Sequence, residues 1–106
     1  MKAEELRIGN YVKYYGERYI ITAIYSYGFL EIYRFGIHKK VDRIEVLPFV
    51  LTEDWLLKFD KIKWLRKDKG GYFYWFEGEK KYIKYVHTLQ NTYFCIEKKE
   101  LICETK

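Results

Sequence analysis

Glycine recurs at short intervals along this chain, and the stretches between glycines are β-branched and aromatic. That alternation constrains the fold more than anything else, because such runs pair as strands and each glycine lets the chain reverse. After Gly9-Asn10 the run Tyr11–Tyr15 (YVKYY) stops at Gly16. Arg18–Tyr25 (RYIITAIY) is apolar on both faces, as a central strand requires, and Ser26-Tyr27-Gly28 turns the chain. Phe29–Phe35 (FLEIYRF) breaks at Gly36, and Ile37–Lys40 reads as a fourth strand. Val41–Ile44 reads as one helical turn and Glu45–Phe49 as a fifth strand ending near the only proline, Pro48. Five short strands in about 40 residues predict a small, strongly bent barrel of the SH3-like kind.

The second half changes character. Thr52 is an N-cap candidate, with Glu53 and Asp54 at the positive end of a helix dipole. A short helix over about Glu53–Phe59 would place Trp55, Leu56 and Phe59 on one face. Strands are predicted at Ile62–Arg66, Tyr72–Glu77 (YFYWFE) and Lys80–Val86 (KKYIKYV), joined by turns at Lys67–Gly71 and Gly78. Val86, Leu89, Gln90, Tyr93 and Phe94 follow helical spacing, which predicts a helix over about Thr88–Glu97, although β-branched Thr92 and Ile96 argue for strand. A short strand at Glu100–Cys103 closes the chain. The expected class is α+β: an SH3-like barrel lobe over about 1–50, then a lobe of helix, three-stranded meander and helix over about 51–106, packed as a single domain.

Several function classes are disfavoured. At 106 residues and 13.1 kDa the chain has room for one real core, and 49 % apolar with 33 % charged residues suits a folded protein. No apolar run approaches the roughly 20 residues that span a bilayer. Glu4 and Glu5 stand where a signal peptide would be apolar, so the expected compartment is the cytoplasm. Cys95 and Cys103 need no disulfide there, and with His38 and His87 distant they lack zinc-site spacing. On a continuous helix, His87 and Cys95 would lie roughly 12 Å apart along the axis, too far to act as a nucleophile–base pair. Glu77 and Glu79 flank a hairpin glycine beside lysines, as solvated carboxylates do. Gly70-Gly71 leads into a strand, so the helix N-terminus of a phosphate loop is missing. The reading is a non-enzymatic protein with no cofactor and no metal.

Charge is distributed unevenly. Residues 61–87 hold the whole basic excess of +5, with eight cations (Lys61, Lys63, Arg66, Lys67, Lys69, Lys80, Lys81, Lys84) against Asp68, Glu77 and Glu79. Aromatic residues make up 21 % of the chain, more than a core of this size can enclose. A sheet that alternates lysines with rings can hold single-stranded nucleic acid, ammonium groups on phosphates and rings on bases. Here Lys80, Tyr82 and Lys84, with Tyr72 and Tyr74, would form the platform, and Lys63, Arg66, Lys67 and Lys69 the rim; Lys61 and Lys81 complete the candidate surface. The plainer alternative is an ordinary sheet whose wet-face lysines block edge pairing, in a chain made Tyr- and Lys-rich by codon bias.

Three stretches carry a resemblance: Leu6–Val12 (LRIGNYV), Leu51–Phe59 (LTEDWLLKF) and Tyr85–Phe94 (YVHTLQNTYF). Together they resemble short phage- and prophage-encoded proteins that begin with LRIGN and end with a His-x-Leu-Gln-Asn-x-Tyr-Phe box. The Lys/aromatic meander is a departure, being longer than in that group. The resemblance implies a mobile-element origin in a bacterial host and no particular chemistry; one role it suggests is an anti-CRISPR protein acting on an RNA-guided nuclease. The expected function is a stoichiometric inhibitor that binds a host protein or ribonucleoprotein through the meander. The alternative is a stand-alone single-stranded RNA or DNA binding module.

Overall fold

The computed structural model describes residues 5–59 and 61–103, an α+β chain with two antiparallel sheets. It divides into two compact units, one running to Phe49 and the other from Val50. The first unit is a four-stranded meander of β1 (Tyr11–Tyr14), β2 (Glu17–Ile24), β3 (Phe29–Arg34) and β4 (Ile37–Asp42), neighbours in that order. Its β1–β2 and β3–β4 turns are two residues long, Tyr15-Gly16 and Phe35-Gly36. All four residues have positive φ (49° and 77°, 48° and 82°), the type I′ geometry that follows strand twist. Pleating sends Val12, Ile21, Leu30, Ile32 and Val41 to one side, where they bury with Leu6 and Val46 as the core of this unit. A register shift between Ile21 and Ala23 bends β2.

The expected helical turn lies at Arg43–Glu45 as a 3₁₀ turn, capped reciprocally by Asp42 and Glu45. The fifth strand shrinks to a single bridge: Leu47 and Lys13 exchange N–H···O bonds of 2.8 Å each. Pro48 has no N–H to extend that ladder. No closed barrel forms among the described residues, so the sheet is open.

In the second unit, α1 (Glu53–Lys58) starts at Thr52, whose Oγ1 accepts from Trp55 N at 3.4 Å. Trp55 and Phe59 are buried and stack on each other at 5.8 Å. The sheet comprises β5 (Arg66–Asp68), β6 (Gly71–Phe76) and β7 (Glu79–Ile83), with β6 in the middle. β5 begins at the last residue of the strand expected over Ile62–Arg66. Residues 62–65 instead make a turn, with Leu65 N donating to Ile62 O at 3.3 Å. Asp68 ends the strand rather than sitting in the loop, because its Oδ1 accepts from Gly70 N at 2.7 Å and tightens the reversal to Lys69-Gly70.

α2 (Val86–Glu97) follows β7. The helical spacing prevails over the β-branched residues, since Val86, Leu89, Gln90 and Tyr93 are buried in one stripe. Phe94, expected in that stripe, is more than a third exposed. The helix stops at Lys98, left-handed at φ 62°, and 100–103 is not a strand.

Candidate functional site

The register of the second sheet decides which of the expected binding residues share a surface. The two-residue turn Glu77-Gly78 pairs Phe76 with Glu79, Trp75 with Lys80, Tyr74 with Lys81, Phe73 with Tyr82 and Tyr72 with Ile83. Directly paired residues lie on the same face. One face therefore carries Phe73, Trp75, Lys80 and Tyr82, joined from β5 by Arg66 and Asp68. The other carries Tyr72, Tyr74, Lys81, Ile83 and Lys67.

This corrects the expected platform. Lys80 and Tyr82 do lie together, but Tyr72 and Tyr74 project from the opposite side. Strand parity in the sequence groups residues within each strand; the turn length decides which groups meet. Tyr74 is half-buried, with its ring 5.6 Å from Trp64. Trp64 in turn lies 6.3 Å from Tyr93 and donates from Nε1 to Glu97 Oε2 at 3.0 Å, so Trp64 and α2 cover the Tyr74 part of that face. Ile83 is buried there.

On the first face, Trp75 is 60 % and Tyr82 51 % exposed, while Phe73 beneath them is buried. Phe73 meets Trp75 edge-on at 6.0 Å and Tyr82 at 5.7 Å. Lys80 Nζ lies 4.6 Å from the Phe73 ring centre and 5.9 Å from that of Trp75. Asp68 Oδ2 accepts from Lys80 Nζ at 2.6 Å and from the Tyr82 hydroxyl at 2.9 Å. The hydrogen bond from Lys80 is the main cause holding the Asp68 carboxyl below its usual range. That same bond raises the Lys80 ammonium above its usual value, and hydrogen bonding to Asp68 raises the Tyr82 phenol. Lys80 is thus a charged but partnered cation that orients two rings.

The remaining cations scatter. Lys61, Lys63 and Lys69 are exposed in the segments flanking β5. Lys67 rests over Tyr72 at 5.2 Å, and Lys81 reaches Glu79 at 3.4 Å, both on the second face. Lys84 lies over Tyr85 at 5.4 Å, and Arg66 donates to Lys63 O at 2.6 Å. Sequence reasoning missed Asp68, Phe73 and Trp75; the two-residue loop Glu77-Gly78 was the signal for Phe73 and Trp75, and the Lys69-Gly70 reversal for Asp68.

Elsewhere, Cys95 is exposed on α2 and is not bonded to Cys103. Among the described residues no group of His, Cys, Asp or Glu is placed to hold a metal, and no helix is long and apolar enough to cross a membrane. Comparison with protein-family models, curated proteins and solved structures gives no match.

Proposed function

We propose that this chain is a non-catalytic binding protein that holds single-stranded nucleic acid on the open face of the β5–β7 sheet. The observation that carries this reading is the pair of exposed rings, Trp75 and Tyr82, set over buried Phe73 and oriented by the Lys80–Asp68 pair. Fixed rings give bases a stacking surface at little entropic cost, and each stacked base contributes about 1–3 kcal/mol. The exposed lysines of 61–69 supply long-range attraction rather than fixed phosphate contacts, so the binding is salt-sensitive. In the phage setting suggested by the sequence, the strand belongs to a host ribonucleoprotein such as an RNA-guided nuclease, and the protein acts as its cytoplasmic inhibitor. We also read the first unit as an SH3-like barrel left open; the Leu47–Lys13 bridge following a 3₁₀ turn supports that reading.

Titration of a labelled 15-nucleotide oligouridylate tests the proposal. Binding is expected to be saturable, to weaken steeply with salt and to quench tryptophan fluorescence. Trp75→Ala is expected to weaken it about tenfold and to remove most of the quench. Absence of binding at low salt, or a Trp75→Ala protein that binds equally well, would exclude this face. If the wild type binds no free oligonucleotide yet co-elutes with a host nuclease complex, the inhibitor reading survives only through a surface other than this face.

A further inference from the structure

A second surface of the same unit lies between α1 and the start of β5, and Trp75 is not among the residues that line it. It is a groove of about 430 Å³, within the size range of ligand clefts. Its lining is mostly apolar: Leu56, Leu57, Phe59, Ile62, Leu65 and Tyr72. Among the described residues, three cations, Lys61, Arg66 and Lys67, stand around it with one acid, Glu53. Leu57 is 78 % exposed, although α1 is anchored by its other residues Trp55 and by Phe59 at its end. An exposed leucine beside an apolar groove is surface that folding does not use.

We propose that this groove docks an acidic amphipathic peptide segment of a partner protein. Its leucine-type side chains cover the floor and its Asp or Glu side chains meet the lysines at the rim. Charge complementarity selects this occupant. A fatty acid would bring one carboxylate to three cations, whereas an acidic helix brings several at the spacing of its turns. A second copy of this chain, docked face to face, would bring the same three cations together. A nucleic acid would find few rings to stack on, since the floor is largely aliphatic and Tyr72 is capped by Lys67 at 5.2 Å. The apolar floor is distinct from the Trp75 face, since neither Trp75 nor Tyr82 lines the groove, although Lys61 and Lys67 contribute charge near both.

The test uses the full chain and a fluorescein-labelled 15-residue peptide. The peptide has Leu at positions 4, 7, 8 and 11 and Glu or Ala elsewhere, and a sister peptide has Lys for each Glu. Saturable micromolar binding of the acidic peptide alone is expected. Leu57→Gln, which keeps charge and helix propensity, should weaken it at least tenfold. The pair Lys61→Gln with Lys67→Gln should also weaken it at least tenfold and flatten its salt dependence. Trp75→Ala should leave it within twofold, which separates this site from the nucleic-acid face. Equal binding of both peptides, indifference to Leu57→Gln, or loss on Trp75→Ala would overturn the proposal. Displacement of the peptide by equimolar dodecanoate, or a concentration-dependent dimer dispersed by Leu57→Gln, would assign the groove to a lipid or to self-association and overturn it as well.

Discussion

Lys80 Nζ lies 2.6 Å from Asp68 Oδ2, linking the far edge strand of the second sheet to the near one across β6. Tyr82 bonds the same carboxylate oxygen, so one acid on β5 orients two side chains of β7. The pair defines the pH behaviour of this face. Asp68 is held below its ordinary 3.8, so the stabilisation is fully present above that value and is lost as pH falls through the lower folded value. Lys80 is raised above 10.5, so its share is present below 10.5 and is lost as pH rises through the higher folded value. Asp68→Asn should melt below the wild type at neutral pH, and the gap should close in acid beneath 3.8. Melting curves across that range check it; a gap independent of pH would show that the ion pair stabilises nothing.

The division of lysines between two faces separates their effects on binding. Lys81 pairs in register with Tyr74 on the face that α2 covers. Lys81→Gln should therefore change oligouridylate affinity less than threefold, by loss of one long-range charge. Trp75→Ala should change it about tenfold. Parallel titrations at one salt concentration compare them, and equal losses would mean that charge alone drives binding.

Asn10 is fully buried, and its Oδ1 accepts from Arg7 N at 2.7 Å. Its carbonyl accepts from Ile21 N at 3.0 Å, while Gly9 N donates to Ile21 O at 2.8 Å, which ties the turn to β2. Asn10→Ala strips the partner from a backbone N–H in that turn and should cost about 1–3 kcal/mol. Denaturant unfolding measures it. A loss below about 0.5 kcal/mol would mean that water replaces the amide at no cost.

Glu77 holds φ at 51° at the first position of a type I′ turn, where asparagine and glycine are preferred. Left-handed backbone costs an ordinary residue about 1–2 kcal/mol, and asparagine recovers part of that. Glu77→Asn should stabilise the protein by about 0.5–1 kcal/mol, read as a rise in the denaturation midpoint. An unchanged midpoint would place the hairpin outside the cooperative unit.

The sequence by itself determined where strands begin and end to within a residue or two through most of the first forty residues. Glycine turns and β-branched runs act locally, and no distant partner has to be known. Helix α2 was legible only against a competing strand signal from Thr92 and Ile96, through the one-dimensional stripe Val86–Leu89–Gln90–Tyr93. Register between strands was decided only in the folded sheet. One residue more or less in the loop after Phe76 would have exchanged the faces of β7 and brought Lys80 and Tyr82 beside Tyr72 and Tyr74. The fate of the fifth strand was likewise non-local, because Leu47 pairs with Lys13 across more than thirty residues. Charge counted along a chain has no direction until pairing gives it one. Eight cations close in sequence dispersed to two faces and the loops between them, and one of the eight became the anchor that orients the rings.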